Sequence, residues 1–175
     1  EETPPLPAEY AGALLAMARD LDCTLILEPG RVIVGNAGIL VTKALYTKTT
    51  GVKNFVVVDA GMNDLIRPSL YDSYHRIQSI VRRDGGEIEA DIVGPICESG
   101  DYLARKRKIP AFQSGDLIAV MSAGAYGFTM SSNYNSRPRV AEVLVEGDRF
   151  HVIRERETYA DLVRGERIPP FLLSE

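Results

Sequence analysis

Cysteine and histidine are scarce in this 175-residue sequence, with two of each. Cys23 and Cys97 stand far apart and outside any Cys-x-x-Cys or Cys/His cluster, and His75 and His151 do not join them. The usual ligand sets for zinc are therefore missing, and no metal site is expected. Long apolar runs are lacking as well: Asp59, Arg67 and Asp116 break into or flank the best candidates. None approaches the roughly 18–20 residues needed to cross a bilayer, so no membrane span is expected. Nor is there an excess of positive charge. With 20 Lys+Arg against 24 Asp+Glu the net charge is −4, and the basic residues form no long run, which disfavours an electrostatic nucleic-acid surface. The opening Glu1-Glu2-Thr3-Pro4-Pro5 has neither the basic and apolar regions of a secretory signal nor an initiating Met, and reads as the start of a piece of a longer chain. An acidic, signal-free sequence points to a reducing compartment, the cytoplasm, although a Cys23–Cys97 disulfide stays open at this level.

What is present suits a folded domain: 45% of residues are hydrophobic and 25% charged, enough to bury an ordinary core. Tyr10, Leu14, Met17, Ala18 and Leu21 recur at three- and four-residue spacing behind Pro7, which predicts an amphipathic helix over 7–21. A short β-branched and apolar run at 24–27 then predicts a strand, stopped by Glu28-Pro29-Gly30-Arg31. Helix, strand and Gly/Pro loop make one β/α step. One such step cannot cover both faces of its strand, so residues 1–40 read as the last piece of a larger (β/α)8 barrel. From residue 41 to 175 the pattern is mostly β. Strands are predicted near 39–48, 55–59, 76–81, 87–93, 117–121, 139–145 and 151–155, with a late helix at 159–164 capped by Thr158. The fold class expected is mainly β, a barrel or sandwich preceded by a β/α step.

Five segments could carry chemistry. In Glu28-Pro29-Gly30-Arg31, Gly30 allows close backbone approach to a phosphate, Arg31 offers a forked cation and Glu28 can pair with a ring nitrogen; a tight turn with solvated charges fits equally well. Asp59-Ala60-Gly61-Met62-Asn63-Asp64 ends an apolar strand and leads to Arg67 and Tyr71, four residues apart and able to converge on one carboxylate if Pro68 opens a helical turn. Cys97 and Glu98 sit side by side in the loop Gly94-Pro95-Ile96-Cys97-Glu98-Ser99-Gly100-Asp101. Adjacent side chains in extended backbone point apart, which suggests two separate tasks. In Gly124-Ala125-Tyr126-Gly127, flanking glycines let the Tyr126 ring and hydroxyl lie over a flat ligand, although a bend is the commoner use of that spacing. Asn133-Tyr134-Asn135-Ser136-Arg137-Pro138-Arg139 reads as a polar surface or interface loop.

In this order, the motifs between residues 24 and 139 resemble the C-terminal part of the diaminopimelate decarboxylases, fold-type III pyridoxal-phosphate enzymes related to alanine racemase and to the ornithine and arginine decarboxylases. The resemblance implies a parent enzyme in which a (β/α)8 barrel holds pyridoxal phosphate and a C-terminal β barrel closes the site, converting meso-2,6-diaminopimelate to L-lysine and carbon dioxide. It implies cofactor contacts from Glu28 (ring nitrogen), Gly30 and Arg31 (phosphate side) and Tyr126. It also implies substrate contacts from Arg31, Arg67, Tyr71, Glu98 and Tyr126, with Cys97 as the catalytic proton donor; a thiol, being a weak acid, suits that near neutral pH. Cys97 and Glu98 would reach the neighbouring subunit's site, so a homodimer is implied. The family's Schiff-base lysine has no counterpart among Lys43, Lys48, Lys53, Lys106 and Lys108, so this stretch alone should be inactive. Two alternatives stand beside this reading. One is a decarboxylase for ornithine, arginine or carboxynorspermidine, against which the Arg67–Tyr71 pair argues where the substrate has no second carboxylate; the other is a non-catalytic dimerisation domain.

Overall fold

The computed structural model describes residues 5–81 and 85–173. The chain forms two units, Glu1–Gly30 and Arg31–Glu175. In the first, helix α1 (Pro7–Ala18) starts where expected: Pro7 supplies a preset φ in the first turn and the Glu9 carboxylate accepts a hydrogen bond from Leu6 N at 2.7 Å. It stops three residues before Leu21, and none of its residues is buried. The predicted strand at 24–27 has no ladder partner among the described residues. A parallel strand exists only through its neighbours' hydrogen bonds, so sequence propensity alone could not make one there.

The second unit is built on a six-stranded sheet in the order β3-β6-β1-β2-β4-β5: β1 (Leu40–Thr49), β2 (Asn54–Val58), β3 (Ile77–Ser79), β4 (Glu87–Val93), β5 (Tyr102–Pro110) and β6 (Leu117–Val120). All pairs are antiparallel except β2 with β4, whose register sets Phe55 opposite Asp91 and Val57 opposite Val93. The edge strands β3 and β5 approach each other, curling the sheet into a nearly closed, barrel-like form. The mainly β expectation thus holds. Alternation explains the interior: Ala44, Val56, Val58, Ala90, Ile92, Leu103, Ile109, Ile118 and Val120 turn inward, joined by Leu65 and Phe112 from loops.

Strand β5 was not predicted. Its Arg105-Lys106-Arg107-Lys108 run hides the apolar alternation, and Lys106 takes a left-handed φ of +46°. The buried Asp91 of β4 compensates this irregularity, accepting from Lys106 N at 2.6 Å and pairing with Lys53 Nζ at 3.0 Å.

Beyond β6, a separate hairpin of β7 (Glu142–Glu146) and β8 (Arg149–Arg154) leads to α3 (Tyr159–Val163), where Thr158 and Asp161 cap the helix start. The preceding loop is fastened by Glu157, which accepts from Arg139 N at 2.8 Å, Arg139 Nε at 2.7 Å and Asn133 Nδ2 at 2.6 Å. These bonds, the Arg139 guanidinium first, hold the Glu157 carboxyl down to about 2. Both cysteines are free and exposed. No helix is long and apolar enough to cross a membrane among the described residues.

Candidate functional site

Helix α2 (Arg67–Tyr71) forms because Pro68 occupies its first turn, and it ends at once because Asp72 adopts a left-handed φ of +52°. One turn is enough to put Arg67 and Tyr71 on the same face, as the four-residue spacing suggested. The Arg67 guanidinium carbon lies 5.4 Å from the Tyr71 ring centre and 5.4 Å from that of Tyr126, so the cation is held between two aromatic faces. These three side chains and Met130 line one open cleft. A long bond from Arg67 Nη2 to Ser73 Oγ, 3.5 Å, leaves most of the guanidinium fork facing that cleft.

Tyr126 arrives there through its loop's backbone. It sits in the left-handed region at φ +58°, and Gly124 packs flush against the 34–38 segment. A Cβ on Gly124 would overlap the Val34 carbonyl oxygen and lie 2.7 Å from Gly38 N, so only glycine fits. Ala123 N donates to Gly38 O at 2.8 Å and Gly124 N to Gly35 O at 3.1 Å, tying the Tyr126 loop to the stretch that follows Arg31. Glu28 and Gly30 belong to the first unit, where Glu28 is exposed and Gly30 has a φ of +55°.

His75, just after α2, is buried, and the sequence reading gave it no role. Its Nδ1 lies 2.8 Å from Met121 O, an acceptor only, so Nδ1 carries the proton and Nε2 is a bare nitrogen with no partner among the described residues. Burial first, then the positive charges of Arg67, Arg107 and Arg31, lower its pKa from the ordinary imidazole value.

Cys97 and Glu98 are exposed on the β4–β5 loop, which turns rather than extends. Glu98 is held loosely: Tyr134 Oη donates to Oε2 at 3.4 Å and Gly100 N to Oε1 at 3.3 Å. Glu98 opens on a second cleft, lined also by Lys53, Asp72, Asp91 and Lys106, and not on the one holding Arg67, Tyr71 and Tyr126. Tyr134, read from sequence only as part of a surface loop, is thus brought to Glu98. Arg137 anchors that loop by donating to Asn63 Oδ1 at 3.0 Å and Asp59 O at 2.6 Å. Asn63 in turn donates to the buried Asp64, whose pKa is raised by burial.

Residues 20–124 match the family described as pyridoxal-dependent decarboxylase, C-terminal sheet domain. The chain belongs to this decarboxylase family. It is 52% identical over 170 residues to a diaminopimelate decarboxylase of Pseudomonas aeruginosa, covering 97% of this chain and 41% of the relative. With a diaminopimelate decarboxylase of Archaeoglobus fulgidus it shares 55% identity over an alignment of 176 positions, gaps included, that covers 97% of this chain and 42% of that protein. Among solved structures, a diaminopimelate decarboxylase from M. jannaschii superposes with a TM-score of 0.92 at 39% identity, covering 98% of this chain and 41% of that one. One from Helicobacter pylori complexed with L-lysine gives 0.83 at 46% identity, covering 94% and 40%. The chain therefore spans about two fifths of the length of these family members.

Proposed function

We propose that this chain is the C-terminal part of a pyridoxal-phosphate-dependent decarboxylase acting on meso-2,6-diaminopimelate, with the Schiff-base lysine supplied by a preceding barrel. In this reading residues 1–40 close that barrel and residues 41–175 form the covering domain. The observation that carries it is the Arg67 guanidinium held between Tyr71 and Tyr126 with its donors facing an open cleft. A fixed fork of that kind recognises a carboxylate with two parallel bonds, and diaminopimelate has a second amino-acid head to offer it. Ornithine and arginine have none.

The surroundings of Tyr126 support a cofactor site there. The Tyr126 loop lies flush on its neighbour because Gly124 has no Cβ, leaving ring and hydroxyl exposed for a flat anionic ligand, with Arg31 on the adjoining segment. When bound, pyridoxal phosphate supplies an electron sink at the carbon that loses carbon dioxide. Glu28 would keep a proton on the ring nitrogen, while the Gly30 backbone, Arg31 and Tyr126 would hold the phosphate and ring. Arg67 and Tyr71 orient the distal carboxylate of the substrate, and Glu98 takes its distal ammonium. Cys97 Sγ would deliver the proton that replaces the lost carboxyl.

Glu98 and the Arg67 cluster open on different clefts of one chain, which supports a homodimer in which Cys97 and Glu98 serve the partner's site. The exposed apolar residues of the β7–β8 hairpin, Leu144, Val145, Phe150 and Ile153 among them, support a surface covered in the assembly. The test is carbon dioxide release by the full-length enzyme with pyridoxal phosphate, comparing meso-diaminopimelate with ornithine and arginine. Release of L-lysine from diaminopimelate alone is expected; equal rates with ornithine would remove the carboxylate clamp.

A further inference from the structure

The loop that presents Cys97 and Glu98 is short, exposed at its tip and joined to β4 and β5 at its ends, so something must fix where its two functional side chains point. Its base closes through Gly94 N to Asp101 O at 3.2 Å, and two inner turns follow, Glu98 N to Ile96 O at 2.8 Å and Asp101 N to Glu98 O at 3.0 Å. These are local bonds that any tight turn makes.

The Asp101 side chain does something different. It is 4% exposed and points inward. Oδ2 accepts from Ile96 N at 2.6 Å, and Oδ1 accepts from Met62 N at 2.7 Å. Ile96 directly precedes Cys97, and Met62 lies on the turn that leads to Arg67 and Tyr71. One carboxylate thus pins two backbone segments, each a few residues from a proposed substrate contact. Two glycines make room for it. A Cβ at Gly94 would lie 2.5 Å and 2.6 Å from the two Asp101 oxygens, and one at Gly61 3.0 Å from Oδ1. The downstream half of the loop has its own fasteners, Ser69 Oγ to Gly100 O and Arg105 Nη2 to Ser99 O at 2.9 Å, with Arg105 stacked on Tyr102 at 3.6 Å. The upstream half, where the thiol sits, has Asp101.

We propose that Asp101 is the positioning residue for the Cys97–Glu98 loop, setting the placement of the thiol and the Glu98 carboxylate through the Ile96 and Met62 amides. The inference rests on the reading of Cys97 and Glu98 as substrate-facing. Stability alone gives little reason for a buried carboxylate, because desolvation offsets most of what its hydrogen bonds return; burial raises the Asp101 pKa despite both amides. A carboxylate is the side chain that offers two acceptors and no donor, which two convergent N–H groups require.

Asp101→Asn keeps the shape but turns an N–H₂ toward one of those amides. In the full-length enzyme it should lower kcat, through the displaced thiol, on the order of ten- to a hundredfold and raise KM, through the displaced Glu98, with little change in pyridoxal phosphate affinity. A second readout needs no activity. In the 175-residue chain, iodoacetamide should alkylate Cys97 faster in the variant than in wild type, with exposed Cys23 in the same molecule as the reference. Faster alkylation without loss of kcat would uphold the positioning role and overturn the catalytic reading of Cys97 and Glu98. A lowered Tm with unchanged alkylation ratio and unchanged kcat would overturn the positioning role. Should the variant fail to fold, hydrogen exchange in the wild type decides. Ile96 and Met62 amides protected like those of β4, beside a fast-exchanging Ser99 amide, uphold the proposal, and rapid exchange at Ile96 refutes it.

Discussion

Replacing Arg67 with alanine removes the group on which the substrate assignment rests, and the structure sets the size of the effect. The guanidinium is half-buried, stacked 5.4 Å from each of two tyrosine rings and, among the described residues, hydrogen-bonded only at 3.5 Å to Ser73, so its loss opens no core cavity. The two ring contacts together contribute about 1 kcal/mol to the fold at this exposure. In the enzyme the change would leave a substrate carboxylate without its charged partner, at a cost of about 1.5–3 kcal/mol. With roughly 1.4 kcal/mol per factor of ten, kcat/KM for diaminopimelate should fall about ten- to a hundredfold. Arg67→Lys should recover part of that, since a point charge sits in the same cleft but cannot make two parallel bonds. The assay is steady-state carbon dioxide release by the full-length enzyme, run beside a pyridoxal phosphate titration. An alanine variant that keeps its efficiency with diaminopimelate, or one that loses cofactor before substrate, would show that another residue holds the distal carboxylate.

Cys97→Ala should lower kcat with KM within about a factor of three, because the thiol acts after the substrate is bound; a rise in KM at constant kcat would instead make it a binding contact. His75 has its folded pKa lowered, so it favours the fold above the unfolded imidazole value of about 6.5 and that contribution is lost as pH falls through the lowered value. Thermal melts between pH 7.5 and 5 should show a smaller acid loss for His75→Gln than for wild type, each measured against its own value at pH 7.5. Gly124→Ala forces a Cβ into the Val34 carbonyl, and overpacking of that kind costs about 1–3 kcal/mol. At this chain length that lowers Tm on the order of 3–10 °C, readable by circular dichroism; an unchanged Tm would mean the 34–38 contact is not held in solution.

Local grammar carried much of this chain. The Pro68 turn, the strand cores around Val56, Ile92 and Ile118 and the Thr158 cap all depend on neighbours within a few residues, and sequence spacing reports those directly. The candidate residues were legible one by one for the same reason. Their grouping was not. Arg67 meets Tyr126 across fifty-nine positions, and Tyr134 meets Glu98 across thirty-six, distances over which one sequence holds no geometric information. Strand β5 shows the same boundary. Its charged run reads as solvated until the bulge at Lys106 finds Asp91, and burial of that carboxylate depends on a β4 pairing no propensity specifies. No spacing in the sequence marks Asp101 or His75. Only tertiary packing makes one a buried acceptor for two distant amides and lowers the other's pKa by burial and the charge of three arginines, because desolvation and long-range charge act through space and leave no periodicity in the chain.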